Sequence, residues 1–162
     1  MIKQIFDITC AFFGLIVLFP FLLIVAIMIK LTSKGSIFYK QERIGKNAKI
    51  FTIIKFRSMI ENHGDNNTVT VSGDQRITKF GAFIRKYKID ELPELWNVLK
   101  GEMSFVGPRP DLPYYYSLLK GEDRKILKLK PGITGPASLK YANEEQLLRL
   151  QDNPERYHYE VI

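Results

Sequence analysis

From Ile8 to Ile29 the chain reads ITCAFFGLIVLFPFLLIVAIMI, 22 consecutive positions without a charge. About 20 apolar residues are enough to cross a bilayer core as a helix, so lipid enters the problem first. A cleavable signal peptide is a poor description, because the run is too long and no small-residue cleavage site follows it. A buried core helix is the other soluble reading, but a 162-residue chain has little protein with which to wrap such a segment. Near its middle stands Pro20, which lacks a backbone donor and clashes with the preceding turn. Two arrangements follow: a kinked helix that spans, or a helix–break–helix that dips in and returns. Lys3 lies before the segment and Lys30, Lys34, Lys40, Arg43 and Lys46 after it. Cations at both ends leave the positive-inside rule little asymmetry, which favours the re-entrant form over an ordinary signal anchor.

The charge balance, 24 Lys+Arg against 17 Asp+Glu, gives +7 and points to anionic partners: lipid head groups, nucleic acid or phosphorylated substrates. A single cysteine, Cys10, excludes an internal disulfide. With only His63 and His158 there is no Cys/His metal cluster to expect.

Beyond Lys30 the pattern changes. SIFYKQERIGKNAKIFTIIKFRSM reads as two strands joined by the turn-rich GKNAK. Lys55 and Arg57, two apart on the second strand, share a face, either as a phosphate clamp or as a solvated surface. Residues 61–74 are polar and Asn/Gly-rich, a surface loop. A helix is expected from Gln75 to Lys88 with Asp74 as its N-cap and Arg85 and Lys86 complementing the dipole at its end.

KIDELPELW, residues 88–96, then sets two acids side by side between a basic run and a proline. Leu92, Leu95, Trp96 and Leu99 repeat at helical spacing, Pro93 suits a first turn and Gly101 suits a C-terminal cap. The expected helix runs from about Glu91 to Lys100, with Asp90 at or near the N-cap. On that view the acids are caps stabilised by the helix N-terminus. A helix N-terminus also attracts phosphate, and Lys55, Arg57, Arg85 and Arg109 supply more cations than two caps need. A carboxylate kept ionised among cations can attack phosphorus, and a second acid beside it can hold a metal or take a proton. Downstream, DLPYYYSLLKGEDRKILKLK mixes tyrosine, leucine and lysine as interfacial or ordinary amphipathic helices do. VGPRP and KPGITGPAS read as turns, and the tail as two short helices.

FDITCAFFGLIVLFPFLLIVAIMIKL, SIFYKQERIGKNAKIFTIIKFRSM, KIDELPELWNVLKGEMSFVGPRP and KPGITGPASL, in that order and spacing, resemble the bacterial sugar transferases known as monotopic phosphoglycosyl transferases. The resemblance covers essentially the whole chain. It implies transfer of a sugar phosphate from a UDP-sugar to a polyprenol phosphate, usually undecaprenyl phosphate, with release of UMP. It further implies Mg²⁺ and work at the cytoplasmic face of the bacterial inner membrane, among membrane lipid. No nucleic-acid partner is implied, and downstream glycosyltransferases would receive the product to extend a surface glycan. By the same match Asp90 is the nucleophile that carries the phosphosugar. Glu91 activates the acceptor or positions the metal, so that the pair Asp90 and Glu91 also forms the metal site. Arg85 and Arg109 fall on phosphate-binding positions, Arg57 with Lys55 beside it on a basic strand position, and Pro20 on the break of a re-entrant helix. Two departures stand out. Phe19 occupies a position where some members have Ser, and members continue for some tens of residues beyond the match to Ile162, which suggests a shortened chain or a compact member.

The expected fold is α+β, mostly helical with one β-hairpin, a re-entrant membrane segment and interfacial amphipathic helices. Residues 1–32 form the membrane-embedded element and 33–162 a cytosolic catalytic domain. The alternative is a membrane-anchored basic module that binds anionic lipid or nucleic acid without catalysis.

Overall fold

A computed structural model of the chain describes residues 2–60, 73–114, 119–153 and 156–157. Most of the polar stretch read as a loop, part of the tyrosine run and the opening of the last tail helix lie outside them.

The apolar segment forms one helix, α1 (Ile2–Thr32), whose helical run continues through Pro20. Its inner stripe is Asp7, Ala11, Leu15, Leu18, Leu22, Val25 and Ile29, spaced three or four apart as one helix face requires. That stripe enters two apolar clusters among the described residues. Ala11 packs with Phe51, Ile53, Leu95, Val98 and Met103. Val25 and Ile29 pack with Phe56 and Ile84. The opposite side, including Phe13, Val17, Ile24 and Leu31, is bare. Both ends of α1 are tied to the same body. At the head, Ser104 Oγ donates to Asp7 Oδ2 at 2.8 Å and Lys3 Nζ approaches the same oxygen at 3.1 Å. At the tail, Arg57 donates to the carbonyls of Lys34 (2.7 Å) and Ser33 (2.9 Å) and to Ser33 Oγ (2.8 Å).

The hairpin forms as the alternation predicts: β1 (Phe38–Ile44) pairs antiparallel with β2 (Ile50–Phe56), from Phe38 opposite Phe56 to Ile44 opposite Ile50. The free edge of β2 is closed by a side chain. Ile54 N–H donates to Asn97 Oδ1 (3.2 Å), and Asn97 Nδ2 donates to the Thr52 carbonyl (2.7 Å), so the carboxamide substitutes for a neighbouring strand's peptide group. Asn97 is fully buried there, its polar atoms satisfied.

Three local expectations are corrected. Helix α2 starts later than Gln75, at Lys79, and ends at Lys86. Asp74 spends its carboxylate on Arg76 (2.6 Å), and Thr78 becomes the cap, accepting from Gly81 N–H at 2.8 Å. The expected helix from Glu91 becomes a 3₁₀ stretch, Ile89–Glu94, followed by one α-helical turn, α3 (Leu95–Leu99). Lys88 enters it in the left-handed conformation (φ 55°) and no side chain caps it, so neither Asp90 nor Glu91 is a cap. Trp96, expected on the buried face, is about half exposed, while Asn97 and Val98 are buried.

VGPRP and KPGITG are also more than turns. They contain β3 (Ser104–Val106) and β4 (Gly132–Thr134), a second, parallel pair that joins Ser104 to Gly132 and Val106 to Thr134. The backbones meet at glycines: a Cβ on Gly107 would lie 2.3 Å from the Lys130 carbonyl oxygen, and one on Gly135 2.3 Å from that of Gly107. After β4 come α4 (Pro136–Lys140) and α5 (Glu144–Arg149). The architecture is thus a mixture of helix and small two-stranded sheets around one long apolar helix.

Candidate active site

The 3₁₀ stretch after α2 carries three acids, Asp90, Glu91 and Glu94, against β2. Lys55 lies at the end of β2 opposite Tyr39, and its ammonium reaches Glu91 Oε1 at 2.8 Å and Glu94 Oε1 at 3.1 Å. One lysine facing three carboxyls cannot neutralise them all. Burial works to lower the Lys55 ammonium, but Glu94 and Glu91 outweigh it and hold it above the ordinary lysine value. Glu91 is held below its usual range, because Lys55 beside it overcomes the effect of burial. The other two acids go the opposite way. Burial pushes Glu94 up to about 7 and Asp90 up to about 6, with Glu91 adding to both and Lys55 opposing.

Asp90 is 7% exposed, and its Oδ1 is buried with no hydrogen-bond partner. A buried carboxylate oxygen without a donor is costly; among the described residues the Arg43 and Arg57 Nε atoms are also buried without a partner. Around it the electrostatic neighbours are Lys55, Arg85 and Lys88, and Lys88 and Arg109 also act on Glu91. Arg85 additionally donates to Ser58 Oγ (3.3 Å).

Arg109 is fixed by its backbone. On one side Gly107 N–H donates to the Thr134 carbonyl (3.0 Å) and Gly132 N–H to that of Pro108 (2.8 Å). On the other, Arg43 Nη1 donates to the Pro110 carbonyl (3.1 Å) and Ile44 N–H to that of Asp111 (2.9 Å). The Arg109 guanidinium is half exposed and pairs with Glu144 at the start of α5.

Of the residues singled out from sequence, Lys55 therefore acts on both Asp90 and Glu91, Arg85 on Asp90 and Arg109 on Glu91. Arg57 does not join them. Strand β2 ends at Phe56, so the alternation that would align Arg57 with Lys55 stops one residue short. Its guanidinium turns to the end of α1 instead, where it is buried. Lys55 is in the site, but its charge is engaged by acids. Pro20 lies in α1, away from this chemistry. Two residues were missed. Glu94, which the LPELW periodicity presented as a polar helix position, is buried on Lys55. Arg43, counted only among the flanking charges, lies within electrostatic reach of Arg109, Tyr39 and Glu94. The signal for Arg43 was strand alternation, which sets Tyr39, Gln41 and Arg43 on the face of Lys55.

Among the described residues no group of three or more His, Cys, Asp or Glu side chains is arranged to hold a metal. Magnesium does not require one, since it is commonly bound through one or two carboxylates together with substrate phosphates and water. The unpartnered Asp90 oxygen, next to Glu91, is a donor set of that kind.

A buried, underbonded carboxylate among cations, its basicity raised by burial, marks a candidate active site. Residues 1–161 match the bacterial sugar transferase family. The chain belongs to that family. It is 43% identical over 148 residues to the exopolysaccharide production protein PSS of Rhizobium leguminosarum bv. phaseoli, covering 86% of this chain and 74% of the relative. It is 39% identical over 155 residues to the undecaprenyl-phosphate glucose phosphotransferase of Komagataeibacter xylinus, covering 91% of this chain and 29% of the relative. The UDP-N-acetylgalactosamine-undecaprenyl-phosphate N-acetylgalactosaminephosphotransferase of Aeromonas hydrophila is 39% identical over 142 residues, 85% of this chain and 34% of the relative. The chain thus spans about three quarters of the first of these and about a third of the other two.

Proposed function

We propose that this chain transfers a sugar phosphate from a UDP-sugar to undecaprenyl phosphate, releasing UMP and starting a surface glycan. The observation that carries the reading is Asp90: buried, pushed up to about 6 by burial, short of one hydrogen-bond partner and not a cap. A carboxylate of raised basicity is a better nucleophile, and an oxygen that no protein group engages is free to react. In the proposed first step an Asp90 oxygen attacks the donor's β-phosphorus, and the bond from that phosphorus to the bridging oxygen breaks. UMP departs with the bridging oxygen, and the sugar phosphate stays on Asp90 as an acyl phosphate. In the second step an oxygen of the polyprenol phosphate attacks the same phosphorus and Asp90 is regenerated. Arg85, Lys88 and Arg109 bind and neutralise the phosphates, with Arg109 as the group able to grip two oxygens at once. Lys55 holds Glu91 ionised, leaving it able to orient the acceptor or accept its proton. The Asp90–Glu91 pair is where Mg²⁺ would be held, and the ion would draw charge from the diphosphate.

The geometry of α1 favours a non-spanning arrangement. From Asp7 to Ile29 is about 33 Å of helix, at ~1.5 Å per residue, close to the ~30 Å hydrocarbon thickness. The body that carries Lys55, Asp90 and Glu91 packs along that length and hydrogen-bonds both ends. A spanning α1 would drag these charges into lipid. A helix that bends at Pro20 and brings both of its ends back to a body on the cytoplasmic face of the bacterial inner membrane leaves them in water. Its bare apolar side then meets the acyl chains.

The test is UMP release by the membrane-reconstituted chain with Mg²⁺ and undecaprenyl phosphate, across a panel that includes UDP-glucose and UDP-N-acetylgalactosamine. Repeated turnover is expected with a preferred donor, and without the lipid acceptor release should stop after a single stoichiometric turnover. Absence of release with every donor contradicts it.

A further inference from the structure

The backbone on both sides of Arg109 is hydrogen-bonded, yet half of its side chain faces solvent. Its guanidinium takes one carboxylate, through Nη1 to Glu144 Oε2. Glu144 comes from far along the chain, 35 residues away, and is itself mostly buried, its side chain 13% exposed. Two anchors bring it there. Gly135 lies against Gly107 so closely that a Cβ would stand 2.3 Å from the Gly107 carbonyl oxygen, only two residues before Arg109. At the other end of the unit Leu148 of α5 is 1% exposed and locks the helix down. Glu144 N–H also donates to the Tyr141 carbonyl (2.9 Å), fixing the turn that leads into α5. An accidental surface ion pair would show none of this.

We infer that Glu144 is a positioning residue of the phosphate site: it holds the Nη1 side of Arg109 so that the rest of the guanidinium is presented to the donor's diphosphate. A guanidinium is a planar fork whose two edges can bind two different groups at once. With one edge fixed by a buried carboxylate, little side-chain freedom remains to be lost when phosphate binds the other. The segment after β4 thereby becomes part of the donor site. This inference rests on the proposed role of Arg109 in phosphate binding.

The experiment is steady-state kinetics of the full chain in lipid with undecaprenyl phosphate and whichever of UDP-glucose or UDP-N-acetylgalactosamine is turned over. Glu144→Gln, Arg109→Lys and the double variant are compared, with thermal unfolding followed for each. Glu144→Gln is expected to raise the donor KM about tenfold, equivalent to ~1.4 kcal/mol, with the unfolding midpoint and the acceptor KM unchanged. Glu144→Asp, which keeps the charge on a shorter stem, should recover part of the loss. In the Arg109→Lys background the Glu144 substitution should add less than about twofold, because coupled residues are not additive. If Glu144→Gln leaves the donor KM unchanged while Arg109→Lys impairs it, the inference falls and the phosphate role of Arg109 stands. Equal, additive losses in both backgrounds also overturn the inference. Wild-type kinetics for Arg109→Lys would overturn the phosphate role itself, and the inference with it.

Discussion

Lys55 faces more negative charge than it can neutralise, and the surplus has a consequence for stability. Glu94 is raised in the fold from the ordinary carboxyl value of 4.5 to about 7. Its protonated form is therefore the one the fold favours, and that contribution is complete below about 4.5 and is lost as pH rises through about 7. Unfolding free energy measured by denaturant titration should fall between pH 5 and pH 8, and Glu94→Gln should flatten most of that decline. An unaltered slope in the variant would mean Glu94 is ionised throughout. Arg57 offers a contrasting test, because its donors bind the end of α1 and not the acids. Arg57→Gln should cost about 3 kcal/mol of stability through lost charged hydrogen bonds, with the donor KM unchanged in the folded fraction. A raised donor KM at intact stability would return Arg57 to the phosphate site.

At the level of elements, the glycine contact between the segments of β3 and β4 sets where Arg109 stands. Gly107→Ala would press a methyl into the Lys130 carbonyl and the Gly132 amide, where Cβ distances of 2.3 and 2.9 Å leave no room. Overpacking of this kind costs about 1–3 kcal/mol. The expected result is a fall in the unfolding midpoint of roughly 3–10 °C with a disproportionate loss of turnover. Gly14→Ala in α1, whose nearest neighbour would be Leu95 at 3.8 Å, should be tolerated. A tolerated Gly107→Ala would show that the two segments separate freely. This pairing also marks where the sequence ceases to be legible. The hairpin could be read from alternation and α1 from its run of apolar residues, because both signals are local. The parallel pairing of Ser104–Val106 with Gly132–Thr134 leaves no such trace, since glycine and proline announce a turn whatever backbone lies opposite. Asp90, Glu91, Arg85 and Arg109 were singled out because charge stands out against the neighbouring pattern. Glu94 and Glu144 were not, because their partners, Lys55 and Arg109, come from remote positions in the chain.

For the whole molecule, α1 serves two surfaces at once, one side completing both apolar clusters and the other left bare along its length. On the proposed function this ties membrane attachment to the integrity of the catalytic body. A tag placed at Met1 should be reachable only from the cytoplasm in intact cells, whereas labelling from the periplasm would show that α1 spans. The proposed reaction itself turns on Asp90. Asp90 and Glu91 are consecutive on a tight helical stretch and do not project in the same direction, which is why the proposed mechanism gives them two separate roles. The direct measurement is mass spectrometry of the protein trapped after incubation with UDP-sugar and Mg²⁺ but no lipid acceptor. A phosphosugar adduct on Asp90 is expected, formed with stoichiometric UMP release, absent in Asp90→Asn and discharged by undecaprenyl phosphate. An enzyme that turns over only when donor and acceptor are bound together, with no adduct on Asp90 at any time, would contradict the proposed mechanism.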